Sequence, residues 1–328
     1  MRESHSRFRL FTACFLSHGV PPRLCGLIIL CALVAIAAGQ EPSYNGRLLS
    51  QWLGDLLLGQ VGSTATEGAV RAMGTNAIPT LLKWISYERS ASQQPSQTEE
   101  AGPRHLSPEQ RAQRADRAFS ALGAVARPAI PELTRLARTS SEPERADRCT
   151  ASLAFIGPEA IPSLLSLATN GPPWTRYWAI SALERFAGDP EGVQTIPLLI
   201  QCLTDTQTSY PVDGPAQRVL LSMDPAVAIP ALTNALRSSS AQTRLQVAHC
   251  LLAFEEAEDP RLPSEVPTVV SALRAAMRDP ESQVRVAATN ILRRMGGWEK
   301  VDEQWVRRPG ASTLYGITPD FFTNGAPR

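Results

Sequence analysis

Acid–base, nucleophilic and metal chemistry all need histidines, cysteines or paired carboxylates within reach of one another. This sequence offers few of them. Beyond residue 39 the histidines are His105 and His249, and neither has a second His or Cys at ligand spacing. Glu255, Glu256, Glu258 and Asp259 form an acidic cluster without the alternating ligands of a calcium loop, and read as a solvated link between helices. There is no phosphate-binding glycine loop and no nucleophile elbow. Of the six cysteines, Cys14, Cys25 and Cys31 lie in the N-terminal segment, while Cys149, Cys202 and Cys250 sit among apolar residues at helical spacing. The latter read as small buried hydrophobes rather than disulfide partners or metal ligands. The expectation is a chain with no catalytic residues, no metal and no cofactor.

What remains is chemistry of contact. Trp174, Tyr177 and Trp178 fall at helical spacing. Aligned with Gln283, Val286 and Ala287 of a later segment, Trp178 belongs in the core. Trp174 and Tyr177 are either anchors for a partner or packing against the Pro172-Pro173 turn. The formal charge is +1, so no strong pull toward nucleic acid or an anionic membrane surface is implied.

The elements that must position these residues are set by a recurring stretch. It reads Ala77-Ile78-Pro79-Thr80-Leu81-Leu82, Ala129-Ile130-Pro131-Glu132-Leu133, Ala160-Ile161-Pro162-Ser163-Leu164-Leu165, Thr195-Ile196-Pro197-Leu198-Leu199, Ala228-Ile229-Pro230-Ala231-Leu232 and Glu265-Val266-Pro267-Thr268-Val269. The prolines are 52, 31, 35, 33 and 37 residues apart, which apart from one long gap is the period of a helical pair. Proline is tolerated in the first helical turn, where its missing N–H has no partner, so each copy marks a helix start. Arg114-Ala115-Asp116-Arg117 recurs as Arg145-Ala146-Asp147-Arg148 at the same offset of 31 that relates Pro131 to Pro162, a sign of internal duplication. Between the first two units, residues 87–107 are rich in Ser, Gln, Pro, Glu and Gly and poor in apolar side chains, and read as a solvent-exposed insertion. Ser107-Pro108-Glu109-Gln110 then restarts a helix with a capping box. In a closing half-unit, Asp279 is expected to cap, Pro280 to take the first turn, and Val284, Ala287, Ala288, Ile291, Leu292 and Met295 to be buried.

The register also marks a surface. Residues four past each proline are Lys83, Arg135, Ser166, Gln201, Asn234 and Ser271; residues seven past are Ser86, Arg138, Thr169, Thr204, Arg237 and Arg274. Both columns face away from the leucine stripe. They make a polar, mildly basic strip without acids, suited to an acidic or peptide-like partner. A merely solvated face is the alternative. The candidate partner-binding residues are Arg135, Arg138, Gln201, Asn234, Arg237 and Arg274, with Trp174 and Tyr177 on the opposite side.

At the N-terminus, Arg2, Arg7, Arg9 and Arg23 precede an uncharged apolar run from Leu24 to Ala38 that ends in small residues. That is the pattern of an export signal over residues 1–39, with cleavage between Ala38 and Glu41. The run is short against the ~20 residues of a membrane span. An uncleaved anchor, which would be the protein's contact with a membrane, and an apolar N-terminus without a role remain open. Leu30 is not the small residue expected before a lipidated cysteine, so Cys31 does not read as a lipoprotein site. Trp298 to Arg328 shows no sustained period and is expected to be disordered unless Trp305, Phe321 and Phe322 fold back on the last helix.

The repeated Ala-Ile-Pro-x-Leu, the run from Asp279 to Ala288 and glycines closing the first helices (Gly74, Gly123, Gly157, Gly188, Gly296) resemble the HEAT repeat family over residues 44–297. The resemblance implies an all-α fold: an α-α superhelix, or HEAT/armadillo-like solenoid, of about six helical-pair repeats. First helices would line its convex side and second helices its concave side. Together with the export signal, the Tyr44-Asn45-Gly46 opening and Leu49-Ser50-Gln51-Trp52-Leu53 are similar to exported bacterial HEAT-repeat proteins of unassigned function. HEAT-like repeats also occur in bilin lyases, but no residue here points to a chromophore. The motif specifies fold strongly and function hardly at all. The expected role is a non-enzymatic protein-interaction scaffold, exported to the periplasm or beyond or held at the membrane by its N-terminus. An enzyme or lyase using the groove and a structural envelope component are the alternatives.

Overall fold

An Ile-Pro or Val-Pro pair opens a helix in five of the six repeats, because proline's fixed φ suits the first turn and its lost donor has no partner there. These second helices are α3 (Ile78–Ile85), α5 (Ile130–Arg138), α7 (Ile161–Asn170), α9 (Ile196–Cys202) and α13 (Val266–Ala276). The remaining one, α11 (Pro225–Ala235), starts earlier and carries Pro230 inside it. Asp224 caps it by accepting the Ala226 N–H at 3.0 Å, so the segment that forms a 3-10 turn in other units is here already α-helical. The first helices are α2 (Ser63–Met73), α4 (Pro108–Leu122), α6 (Pro143–Ile156), α8 (Pro173–Ala182), α10 (Asp213–Ser222), α12 (Ala241–Glu256) and the closing α14 (Ser282–Met295). A short α1 (Leu49–Gly54) precedes them. The computed structural model describes residues 41–55, 63–88, 106–206, 209–256, 266–296, 298–301 and 304–307. The 1–39 segment and most of the insertion lie outside these residues, as do His105, Glu258 and Asp259.

First helices pack on one another in chain order from α2 to α14, and each second helix lies against the first helix of the following unit. The second helices form their own row through α5 on α7, α9 on α11 and α11 on α13. The fold is an all-α solenoid of six helical pairs and a closing helix. Its core is one continuous strip. The residue two past each proline is buried in every unit: Leu81, Leu133, Leu164, Leu199, Leu232 and Val269. Phe119, Phe186 and Phe254 fill the other side.

Both ends are closed by small devices. At the N-terminal end β1 (Ser43–Tyr44) pairs with β2 (Arg47–Leu48) through Asn45 and Gly46, both at positive φ. Two successive left-handed residues give the turn whose twist matches a hairpin, which explains the Asn-Gly pair. The Arg47 guanidinium lies 4.1 Å over the Trp52 ring and pairs with Asp55 at 2.6 Å. At the other end the expectation of a disordered tail is corrected for residues 298–301 and 304–307. There β3 (Trp298–Val301) pairs antiparallel with β4 (Gln304–Arg307).

Other expectations are corrected too. Trp178 is half-buried, and Thr175, Ala179 and Ile180 take the core positions of α8. The residue before α14 is Glu281 rather than Asp279; Asp279 Oδ1 accepts the Glu281 N–H at 2.9 Å while both its oxygens are held by Arg244. The insertion is anchored at its described edges: Leu106 is buried, and Glu88 accepts the Ser141 N–H at 2.9 Å. Ser107 does form the capping box, accepting from Gln110 N at 3.1 Å while Gln110 Oε1 accepts from Ser107 N at 2.9 Å. Among the closing glycines, Gly123 sits at φ +52, a conformation a side chain would resist, whereas Gly296 keeps an ordinary helical φ.

Because each unit buries its apolar side only against neighbours, a cavity in mid-array weakens the whole stack. Leu164→Ala should lose roughly 2–5 kcal/mol in urea unfolding, and Thr169→Ala, on the exposed side of the same helix, about 0.5 or less. Equal losses would place the buried stripe elsewhere.

Candidate functional site

The candidate surface begins with the helical period. In each second helix the residues two and five or six past the proline are buried, so those four and seven past share the outer side. Lys83, Arg135, Gln201, Asn234 and Ser271 are exposed and Ser166 half-buried; Arg138, Thr169, Arg237 and Arg274 are exposed and Ser86 and Thr204 half-buried. The two columns meet across units. Arg138 Nη2 donates to Ser166 Oγ at 3.1 Å, joining position seven of one helix to position four of the next.

The strip is less basic than its residue types suggest. Arg135 donates through Nε and Nη2 to both Glu132 oxygens, at 2.8 and 2.6 Å. Those hydrogen bonds lower the Glu132 carboxyl and raise the guanidinium from their ordinary pKa values. Glu132 stands one past its proline, on the same side, so the expectation of a strip without acids is corrected at this level. Thr169 and Thr204 turn their hydroxyls to the carbonyls of Leu165 and Gln201, both at 2.9 Å. The cations at this surface beyond the Arg135–Glu132 pair are Lys83, Arg138, Arg237 and Arg274.

Beneath the surface runs a set of arginines that sequence reasoning missed. A helix leaves its last carbonyls without partners, and in this stack guanidiniums of first helices reach carbonyls at the end of an earlier helix or in the connection just past it. Arg114 Nη1 donates to Leu53 O at 2.6 Å, Arg145 Nη2 to Thr139 O at 2.5 Å and Arg176 Nε to Ala168 O at 3.1 Å. Arg244 Nη1 donates to Ser238 O at 2.7 Å, and Arg285 Nη1 to Asp279 O and Pro280 O at 2.8 Å. Two of them also grip a carboxylate one unit onward: Arg176 Nη2 lies 2.5 Å from Asp205, and Arg244 holds both oxygens of Asp279 at 2.7 and 2.8 Å. Arg145 Nε lies 2.9 Å from Glu88 Oε1, outside hydrogen-bond alignment. The repeated Arg-Ala-Asp-Arg run carried the signal: its first arginine is the buried one, with Arg114 and Arg145 each 8% exposed.

The aspartates of that run sit in poorer surroundings. Burial pushes the Asp116 and Asp147 carboxyls above the usual range, and the charge of Asp116 raises Asp147 further. Burial likewise lifts the Cys149 and Cys250 thiols to about 12 and Cys202 to about 11, so all three are unreactive hydrophobes. His249 is exposed on α12. Among the described residues no group of three or more metal-capable side chains gathers, and no helix is long and apolar enough to cross a membrane.

Trp174 and Tyr177 stand apart from the strip, half-buried near the start of α8. Tyr210, from the connection between α9 and α10, packs edge-on against both, with ring centroids 6.2 and 6.3 Å apart. Trp178 meets Tyr177 at 5.1 Å. Tyr210 was not foreseeable from local spacing, since it comes from the next unit.

The sequence matches no family model, and no curated protein is significantly similar to it. Among solved structures, Kap121p aligns at 13% identity and TM-score 0.39 over 84% of this chain and 30% of its own. The Kap95:Nup1 complex aligns at 14% and 0.35 over 81% and 32%. Human deoxyhypusine hydroxylase aligns at 18% and 0.23 over 71% and 98%. The chain spans about a third of the length of the first two. At such scores the solenoid rests on its own helices rather than on these likenesses.

The two kinds of carboxylate respond oppositely to pH. Asp279 is held below the usual range first by its hydrogen bonds from Arg244, so its contribution is present above the unfolded carboxylate pKa and is lost as pH falls through the native value. Asp147 is raised, so its contribution is present at low pH and lost as pH rises through its native value. Asp279→Asn should therefore destabilise at pH 7, with a deficit that shrinks toward pH 3. Asp147→Asn should stabilise at pH 7, with a gain that vanishes toward pH 3. Denaturant titrations at both pH values read the signs, and parallel curves would contradict them.

Proposed function

We propose that this protein is a non-enzymatic interaction scaffold that binds an acidic protein or peptide along the outer side of its second helices, the side that the HEAT resemblance makes concave. The observation that supports it is the continuity of exposed polar side chains at positions four and seven through all six second helices, with Arg138 and Ser166 bridging neighbouring levels. A stack of rigid helices spaces those side chains at fixed intervals. An extended partner can then be met at several levels at once, at little ordering penalty on the scaffold side. Arg138, Arg237 and Arg274 present forked donors suited to carboxylate or phosphate groups.

Export belongs to the same reading. The basic residues before Leu24, the apolar run to Ala38 and the small residues at its end support a chain that leaves the cytoplasm, freed by cleavage or anchored by that run. A near-neutral net charge disfavours nucleic acid as the partner.

The test uses the exported protein as bait to identify the partner, and then reverses Arg138, Arg237 and Arg274 to Glu together. Exposed charges contribute little to stability, so helix content and the melting transition should hold. Association should slow by roughly tenfold or more at low salt and lose its salt dependence. Unaltered binding at low salt would remove the strip from the mechanism.

A further inference from the structure

The second-helix strip is not evenly charged along its length. At the first level Lys83 is exposed four past its proline, and at the second Arg138 is exposed seven past, while Arg135 is matched by Glu132 on its own helix. At the fifth and sixth levels Arg237 and Arg274 are exposed, again seven past. Between these ends, positions one, four and seven of the third and fourth levels are Ser163, Ser166, Thr169, Leu198, Gln201 and Thr204, without a charge of either sign. Hydroxyls of this stretch are engaged within the protein: Thr169 and Thr204 donate to backbone carbonyls at 2.9 Å, and Ser166 Oγ accepts from Arg138 at 3.1 Å. The strip has two cationic poles and a neutral middle.

The distance between the poles follows from packing. Neighbouring helices lie roughly 8–10 Å axis to axis, so three steps from the second level to the fifth set Arg138 and Arg237 roughly 30 Å apart. An extended chain advances about 3.3 Å per residue, and so covers that distance in about nine residues and one level in about three. At 0.1 M salt the screening length is about 10 Å, so each pole acts on its own and a carboxylate laid over the middle gains little from either. Within a pole the two cations stand on neighbouring levels. They do not converge on one phosphate; they match two carboxylates about three residues apart. Once one pole is engaged, contact with the other becomes intramolecular, which raises affinity without any change in either contact. We propose that the strip selects an extended partner segment carrying two pairs of Asp or Glu, about three residues apart within a pair and about nine between pairs, joined by neutral polar residues. This spacing rule rests on the strip reading above and narrows it.

The experiment measures binding of the full chain, by fluorescence anisotropy at low salt, to three labelled peptides of equal length and equal Glu content in a Ser/Gly background. One carries the two-pair arrangement, one the same glutamates evenly spread, and one the same glutamates contiguous. The two-pair peptide should bind roughly tenfold or more tighter than the others. Arg138→Gln or Arg237→Gln alone should remove that preference, since either leaves a single pole, while changing affinity for the contiguous peptide about twofold or less. Both residues are exposed, so the variants should fold as the parent does, and thermal unfolding checks it. Equal affinities for the three peptides, lost together on the Arg138, Arg237 and Arg274 reversal, overturn the spacing rule and leave the strip reading standing. Affinities that the reversal leaves unchanged overturn both. No binding of the two-pair peptide at millimolar concentration also overturns the spacing rule.

Discussion

The structure depends on how one unit ends where the next begins. Every helix finishes with carbonyls that its own hydrogen bonds cannot reach, and in a stack those ends lie where water is scarce. A guanidinium suits the place because its five donors are fixed in a fork that can meet two or three acceptors at once. Arg244 shows the full arrangement, with Nη1 on the carbonyls of Ser238 and Ser239 and the other two nitrogens on Asp279. It thereby ties the end of α11 to the end of α13. Burying this charge without Asp279 would be unfavourable, and each partner makes the other tolerable.

That seam shapes the outer surface indirectly. The junction arginines are turned inward, while the outer side of the second helices carries Lys83, Arg135, Arg138, Arg237 and Arg274, spaced by the repeat rather than by any local motif. Leucine or valine at position two and apolar residues at five and six fix the rotation of each second helix, and the rotation decides which residues face outward. At Arg135 the helix supplies its own counter-charge in Glu132, so the strip's basic character rests on Lys83, Arg138, Arg237 and Arg274.

Much of this was legible in the chain because it repeats. Proline at the helix start, the buried residue two beyond it and the outward columns all follow from a period of 3.6 within a longer period, and both are local patterns. Features created by a different unit were not legible. The Arg-Ala-Asp-Arg duplication was visible, but that its first arginine caps a preceding helix depends on where that helix ends. Asp279 has the sequence context of a cap and accepts the Glu281 N–H just before α14, but its two-pronged pairing with Arg244, 35 residues earlier, was not readable locally. Trp178 aligns with a core alanine, but an indole is too large for that slot, and it leans into the aromatic group with Tyr177. The C-terminal hairpin has strands of four residues, too short for alternation to stand out.

The central claim is that neighbouring units hold each other through the arginine seam and so present their outer faces as one rigid row. Arg176 is the place to ask, since it joins Ala168 of α7 to Asp205 beyond α9. Native-state hydrogen exchange of Arg176→Met compared with the parent chain measures that coupling unit by unit. The account predicts faster exchange in α7, α8 and α9, with α4 and α14 unchanged. No change at α7 and α9, or a uniform acceleration along the whole array, would contradict it.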